Sequence, residues 1–198
     1  MMTLMCIYSP ALRTRIFIVG ILFLAVTLLA LNPAHAKEAL DPYVKGLQLQ
    51  GQGRLTFWGF DVYDARLYVA DQRGQTGFAL DLNYLRSLKG TDISRRTVEE
   101  MQRLGVSEVD RNAWEKKLDV IFPDVVPGSS LSAIYVPGRG TVFLYNGKLR
   151  GEMVGDEFAK AFFSIWLDPK TTVPKLRTAL IGQACAPFIL APTCETPR

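Results

Sequence analysis

The chain has 198 residues, 48% of them hydrophobic, a formal charge of +4 and a single histidine, His35. Acidic and basic residues are interspersed, with no block of five or six like charges, so the composition gives no support for nucleic-acid binding. One histidine and three cysteines also leave no cluster from which a metal site could be made, and no cofactor is implied.

Residues 1–36 read as a cleavable signal peptide. Arg13 and Arg15 form a positive n-region, Ile16 to Leu31 is almost wholly apolar, and Ala34-His35-Ala36 supplies small residues for cleavage after Ala36. The apolar run is short for a membrane span of roughly 20 residues, and the alternative is an uncleaved N-terminal anchor. Removal would take away the histidine and leave 21 basic and 19 acidic residues, a charge of +2. The sequence therefore predicts a periplasmic or secreted chain of 162 residues starting at Lys37, a length suited to one core. Cys185 and Cys194 would then meet an oxidising environment, which favours a bridge over two free thiols.

Taken in order, the mature region first predicts strands. Leu47 to Phe57 alternates, with Leu47, Leu49, Leu55 and Phe57 on one side. Phe60 to Asp71 places Tyr63, Ala65, Leu67 and Val69 on one face, and Trp58-Gly59 suits the tight turn between the two. A third strand carries Phe78, Leu80, Leu82 and Tyr84 and ends near Arg86. Ser94 can cap a helix to Leu104, with Gly105 after it, and a second helix from Asp110 carries Trp114, Leu118 and Ile121 up to Pro123. Strands return at Leu131 to Val136, Thr141 to Tyr145 and Lys148 to Val154. Asn146-Gly147 between the last two is a strong hairpin signal. An apolar helix opens at Gly155-Asp156-Glu157 and carries Phe158, Phe162, Ile165 and Trp166; a short one follows from Pro174 to Gly182. The tail 183–198, with three prolines in its last twelve residues, reads as loosely held. Strands and helices come in blocks, which predicts an α+β fold with an antiparallel sheet covered by helices on one side.

Four segments, in order, resemble the exported bacterial branch of the chalcone isomerase-like family: Gly53-Arg54, the run from Val62 to Val69, the run from Ala79 to Arg86, and Gly155-Asp156-Glu157-Phe158 through Leu167. The stretch Leu176 to Gly182 is similar to that branch's last helix, so the resemblance spans residues 47–182. It implies an open-faced β-sandwich. The family holds enzymes that close an enone by intramolecular addition and non-catalytic relatives that bind fatty acids. In both, an arginine on the first strand of the site holds an anionic oxygen, and in the binders a tyrosine joins it. By that resemblance Arg54 and Tyr63 become the ligand-binding candidates.

The chemistry fits, because a guanidinium fork matches a carboxylate and a phenol adds one directed donor. Alternation nevertheless puts Arg54 with Gln48, Gln50 and Gln52 on the polar side of its strand unless a bulge at Gly51 or Gly53 reverses it. The plain readings are a solvated or ion-paired strand arginine and a core tyrosine. Arg86, sharing a face with Leu82 and Tyr84, is a second anion candidate. Three functions stand open: a binder of a hydrophobic carboxylate such as a fatty acid, a chalcone isomerase-type enzyme, and an envelope protein-interaction module with a filled pocket. No protein partner is named by the sequence, and no membrane span is expected once the signal is removed.

Overall fold

A computed structural model describes residues 46–70 and 77–194. The expected signal peptide, its cleavage site and the first residues of the mature region lie outside the described residues.

Six antiparallel strands form one sheet in strictly sequential order: β1 (Gln48–Phe57), β2 (Phe60–Val69), β3 (Phe78–Tyr84), β4 (Ser130–Val136), β5 (Gly140–Tyr145) and β6 (Lys148–Val154). Helices α1 (Gly90–Arg103) and α2 (Glu108–Ile121) lie between β3 and β4; α3 (Asp156–Leu167) and α4 (Pro174–Ile181) follow β6. The architecture is the predicted α+β open-faced β-sandwich. No helix among the described residues is long and apolar enough to cross a membrane.

The core lies between the sheet and the helices. Alternation in β2 and β3 sends Tyr63, Ala65, Leu67, Leu80, Leu82 and Tyr84 inward, where Met101 of α1, Leu118 of α2 and the aromatic face of α3 bury them. At β1 the alternation breaks. A bulge at Gln50, between the Leu49–Tyr68 and Gly51–Leu67 pairs, turns Leu47 and Leu49 away from the face that holds Leu55. A bulge of the kind that could have reversed Arg54 thus exists next to Gly51, but it redirects the leucines and leaves Arg54 on the polar side. Leu47 joins a second buried cluster with Ala79, Ile134, Val142 and Leu144 on the far face of the sheet.

Other boundaries differ for local reasons. Helix α1 begins a turn before Ser94, at Gly90, whose backbone N–H donates to Asp124 Oδ1 at 3.0 Å and so satisfies a free donor of the first turn. Ser94 is then interior, and its hydroxyl is bonded to Asp119 of α2. Helix α2 begins at Glu108, where the Ser107 hydroxyl accepts from the Asp110 backbone N–H at 3.2 Å. Nor is the tail loose up to residue 194. Cys185 and Cys194 form a disulfide, Cys185 and Ala186 are buried, and Ile189 and Leu190 pack on the main core.

The far face also holds a buried carboxyl. Asp81 accepts a 2.7 Å hydrogen bond from the Ser132 hydroxyl, and Arg66 Nη1 stands 4.0 Å from its other oxygen. Burial raises its pKa above the ordinary carboxylate value against both of these opposing contacts. A raised carboxyl stabilises the fold least when ionised, so this contribution is intact in acid and is lost as pH rises through the folded pKa. Asp81→Asn keeps an oxygen for Ser132 and removes the charge. It is expected to raise stability at pH 7 and to gain less at pH 4. Urea titrations at the two pH values decide this; equal effects at both would refute it.

Candidate functional site

The three residues singled out from sequence do not meet. Arg54 and Tyr63 lie on opposite faces of the sheet, because it is Leu55 that pairs with Tyr63 while Arg54 pairs with Asp64. A bulge between the Leu55–Tyr63 and Thr56–Asp61 pairs brings Asp61 and Asp64 onto the same outer face. Both then grip the guanidinium. Arg54 Nε and Nη2 donate to the two oxygens of Asp64 at 2.6 and 3.0 Å, and Nη1 donates to Asp61 at 2.9 Å. The Thr56 hydroxyl donates to the other Asp61 oxygen at 2.7 Å. The Thr56 bond, then Arg54, holds Asp61 below the usual carboxylate range, while Asp64 first and Asp61 second hold Arg54 above its ordinary value. With two carboxylates on one cation, the charge an anionic head group would need is already taken.

Arg54 lines an open groove of about 360 Å³ with Gln52, Gly53, Asp64, Ala65 and Arg66. Its side chain is 50% exposed, so the ion pairs are solvent-screened and of small energetic weight. The expected convergence of Arg54 and Tyr63 on an apolar hollow is therefore corrected: the arginine faces outward.

Tyr63 does face the interior. Its hydroxyl accepts a 2.8 Å hydrogen bond from the indole N–H of Trp166 on α3, and its ring stands edge-on to Tyr84 with centroids 5.7 Å apart. Phe162 lies one helical turn from Trp166, with ring centroids 5.3 Å apart. Burial, outweighing the Trp166 bond, raises the Tyr63 pKa, so the phenol stays protonated at any physiological pH. A hydroxyl can both accept and donate, and no described residue accepts the proton of Tyr63. Glu100, also buried, is ion-paired with Arg96 and accepts a 3.1 Å bond from the Thr172 hydroxyl. The Tyr63 hydroxyl is thus an uncommitted donor in an aromatic setting, though not alone on the inner face, where the buried Thr141 hydroxyl also has no partner.

Arg86 lies beyond the end of β3. Strand pairing no longer assigns it the face of Leu82 and Tyr84; it is exposed, with its guanidinium carbon 4.6 Å over the Phe60 ring. Trp166, the partner of Tyr63, was not singled out as a site residue. It stands 103 residues away, and its helical spacing signals only burial.

Comparison with known proteins agrees with this architecture. A family model described as chalcone isomerase-like matches residues 32–182. An uncharacterised protein of Haemophilus influenzae is 27% identical over 154 residues, covering 74% of this chain and 76% of that protein. Among solved structures, a fatty-acid binding protein of Arabidopsis thaliana superposes with a TM-score of 0.55 at 12% identity, covering 69% of this chain and 87% of that one. The sheet with its helical cover is the fold of that class, and the chain belongs to the chalcone isomerase-like family.

Proposed function

We propose that this is a non-catalytic binding protein for a hydrophobic carboxylate such as a fatty acid, held between the sheet and the helices with its polar end at Tyr63. The observation that carries this is the phenol of Tyr63, buried among aromatic rings with its acceptor side taken by Trp166 and its proton accepted by no described residue. An acyl chain entering that layer would contribute roughly 0.8 kcal/mol per methylene. The fold shared with a fatty-acid binding protein supports the same reading. In this arrangement Arg54 is not the head-group cation, since Asp61 and Asp64 occupy it.

The isomerase reading is weaker. It needs a cation to stabilise developing charge in the interior, and both arginine candidates lie outside it. The proposed site of action is the periplasm, after removal of residues 1–36. The Cys185–Cys194 disulfide supports it, because such bridges persist in oxidising compartments.

Purification under native conditions, followed by solvent extraction and mass spectrometry, should release a fatty-acid-like carboxylate. Tyr63→Phe removes one hydrogen bond to a charged group and should weaken fatty-acid binding about 10- to 100-fold. An empty protein, together with unchanged affinity in the variant, would overturn the proposal.

A further inference from the structure

The β1–β2 hairpin ends in a feature the interior site does not use. Phe57, Trp58 and Phe60 are 56%, 86% and 59% exposed at one turn. Trp58 and Gly59 have φ of 52° and 80°, nearly matching the 47° and 76° of Asn146 and Gly147 in the β5–β6 hairpin. The two turns have the same backbone form, yet only the second uses the residue that tolerates it. An asparagine enters the left-handed region at little cost, whereas a bulky side chain there is strained. Turn formation therefore does not account for a tryptophan at position 58. Its side chain has a use outside the fold.

We propose that this tip docks on a lipid bilayer, inserting Trp58 with Phe57 and Phe60 into the interfacial zone of a membrane that carries anionic head groups. Three observations select that occupant. The aromatic surface is small, on the order of 400 Å² for three rings at these exposures, against roughly 800 Å² per partner in a stable protein interface. It is the convex end of a two-residue turn, shaped to enter a soft surface. And its chemistry is layered. Indole and phenyl rings belong at the boundary between head groups and acyl chains, while the Arg86 guanidinium stacked 4.6 Å over Phe60 is placed to pair with phosphate as the ring sinks. The nearest acids, Asp61 and Asp64, are both engaged by Arg54, and no described carboxylate pairs with Arg86.

The inference does not depend on what the interior holds, and its test can fail separately. The protein with residues 1–36 removed, as proposed for its exported form, is mixed with vesicles of phosphatidylcholine and phosphatidylglycerol at 3:1, and binding is read by co-sedimentation and by quenching of tryptophan fluorescence with brominated acyl chains. Trp58→Asn suits the turn at least as well, so its melting temperature should hold and its extracted lipid should match the wild type. Its vesicle affinity should fall at least about 10-fold, and the brominated-lipid quenching should disappear. Arg86→Gln should weaken binding to these vesicles and leave binding to vesicles of phosphatidylcholine alone unchanged. Equal vesicle binding by wild type and Trp58→Asn, or no quenching of the wild type, would overturn the proposal. So would loss of a co-purifying protein from the variant with vesicle binding unchanged, which would mark the tip as a protein contact.

Discussion

Replacing Phe162 by alanine is expected to lower the unfolding free energy by about 3–5 kcal/mol, the range for deleting a large buried ring. Phe162 sits mid-way along α3 and is 3% exposed. Its ring centroid lies 5.2 Å from that of Phe143 on β5, 5.7 Å from Phe158, and 5.3 Å from both Phe163 and Trp166. Truncation loses the burial of the ring and four aromatic contacts at once. Because Phe143 belongs to the sheet, the cavity would open at the seam between the two layers. Equilibrium denaturation in urea, followed by circular dichroism, measures the loss; a change below about 1 kcal/mol would show that the seam collapses to fill the gap.

The second large effect comes from an added methyl. A Cβ built on Gly51 would stand 2.3 Å from the Leu180 carbonyl oxygen and 2.4 Å from that of Ala179. Both atoms are backbone of α4, so relief requires the helix to lift off β1. Gly51→Ala should therefore cost about 3 kcal/mol, the upper end for overpacking. Gly53→Ala should cost less, since its contacts are longer, 2.8 Å to Ala179 Cβ, which moves only with the helix backbone, and 2.8 Å to Leu176 Cδ1, the flexible end of its side chain. Neither glycine needs a left-handed backbone; the strand carries them because a helix lies directly upon it. Denaturation midpoints of the two variants compared side by side check both the size and the order of the effects.

These particulars show what could be read before any coordinates. Where local rules and tertiary packing agree, the sequence was enough. The alternation in β2 and β3, the Asn146-Gly147 turn and the apolar run of α3 are all where their patterns place them. Three of the four family segments fall on β2, β3 and α3, whereas Gly53-Arg54 lies on β1. Arg54 was harder, because two bulges reset the faces of the hairpin. One at Gln50 separates Leu47 and Leu49 from Leu55, and one near Val62 gathers Asp61 and Asp64 around the guanidinium. A bulge adds one residue to one strand, and alternation counted along a single strand cannot detect it. Strict alternation groups Arg54 with Gln48, Gln50 and Gln52; the bulge moves Gln48, opposite Val69, to the other face, while Arg54 does face outward. The hydrogen bond between Tyr63 and Trp166 was out of reach, because no local signal joins residues 103 positions apart. Likewise the packing of residues 183–194 follows from their contact with the core, which composition does not encode.

The covering of β1 by α4 has a consequence for assembly. Each strand of this sheet neighbours the one made just before it, so the meander can zip up by short-range steps. The clasp over its leading edge is different, because it joins residues near 51 to residues near 180 and waits until α4 has been made. A chain emerging amino end first can build its ribbon early, but fastens it only once α4 has arrived.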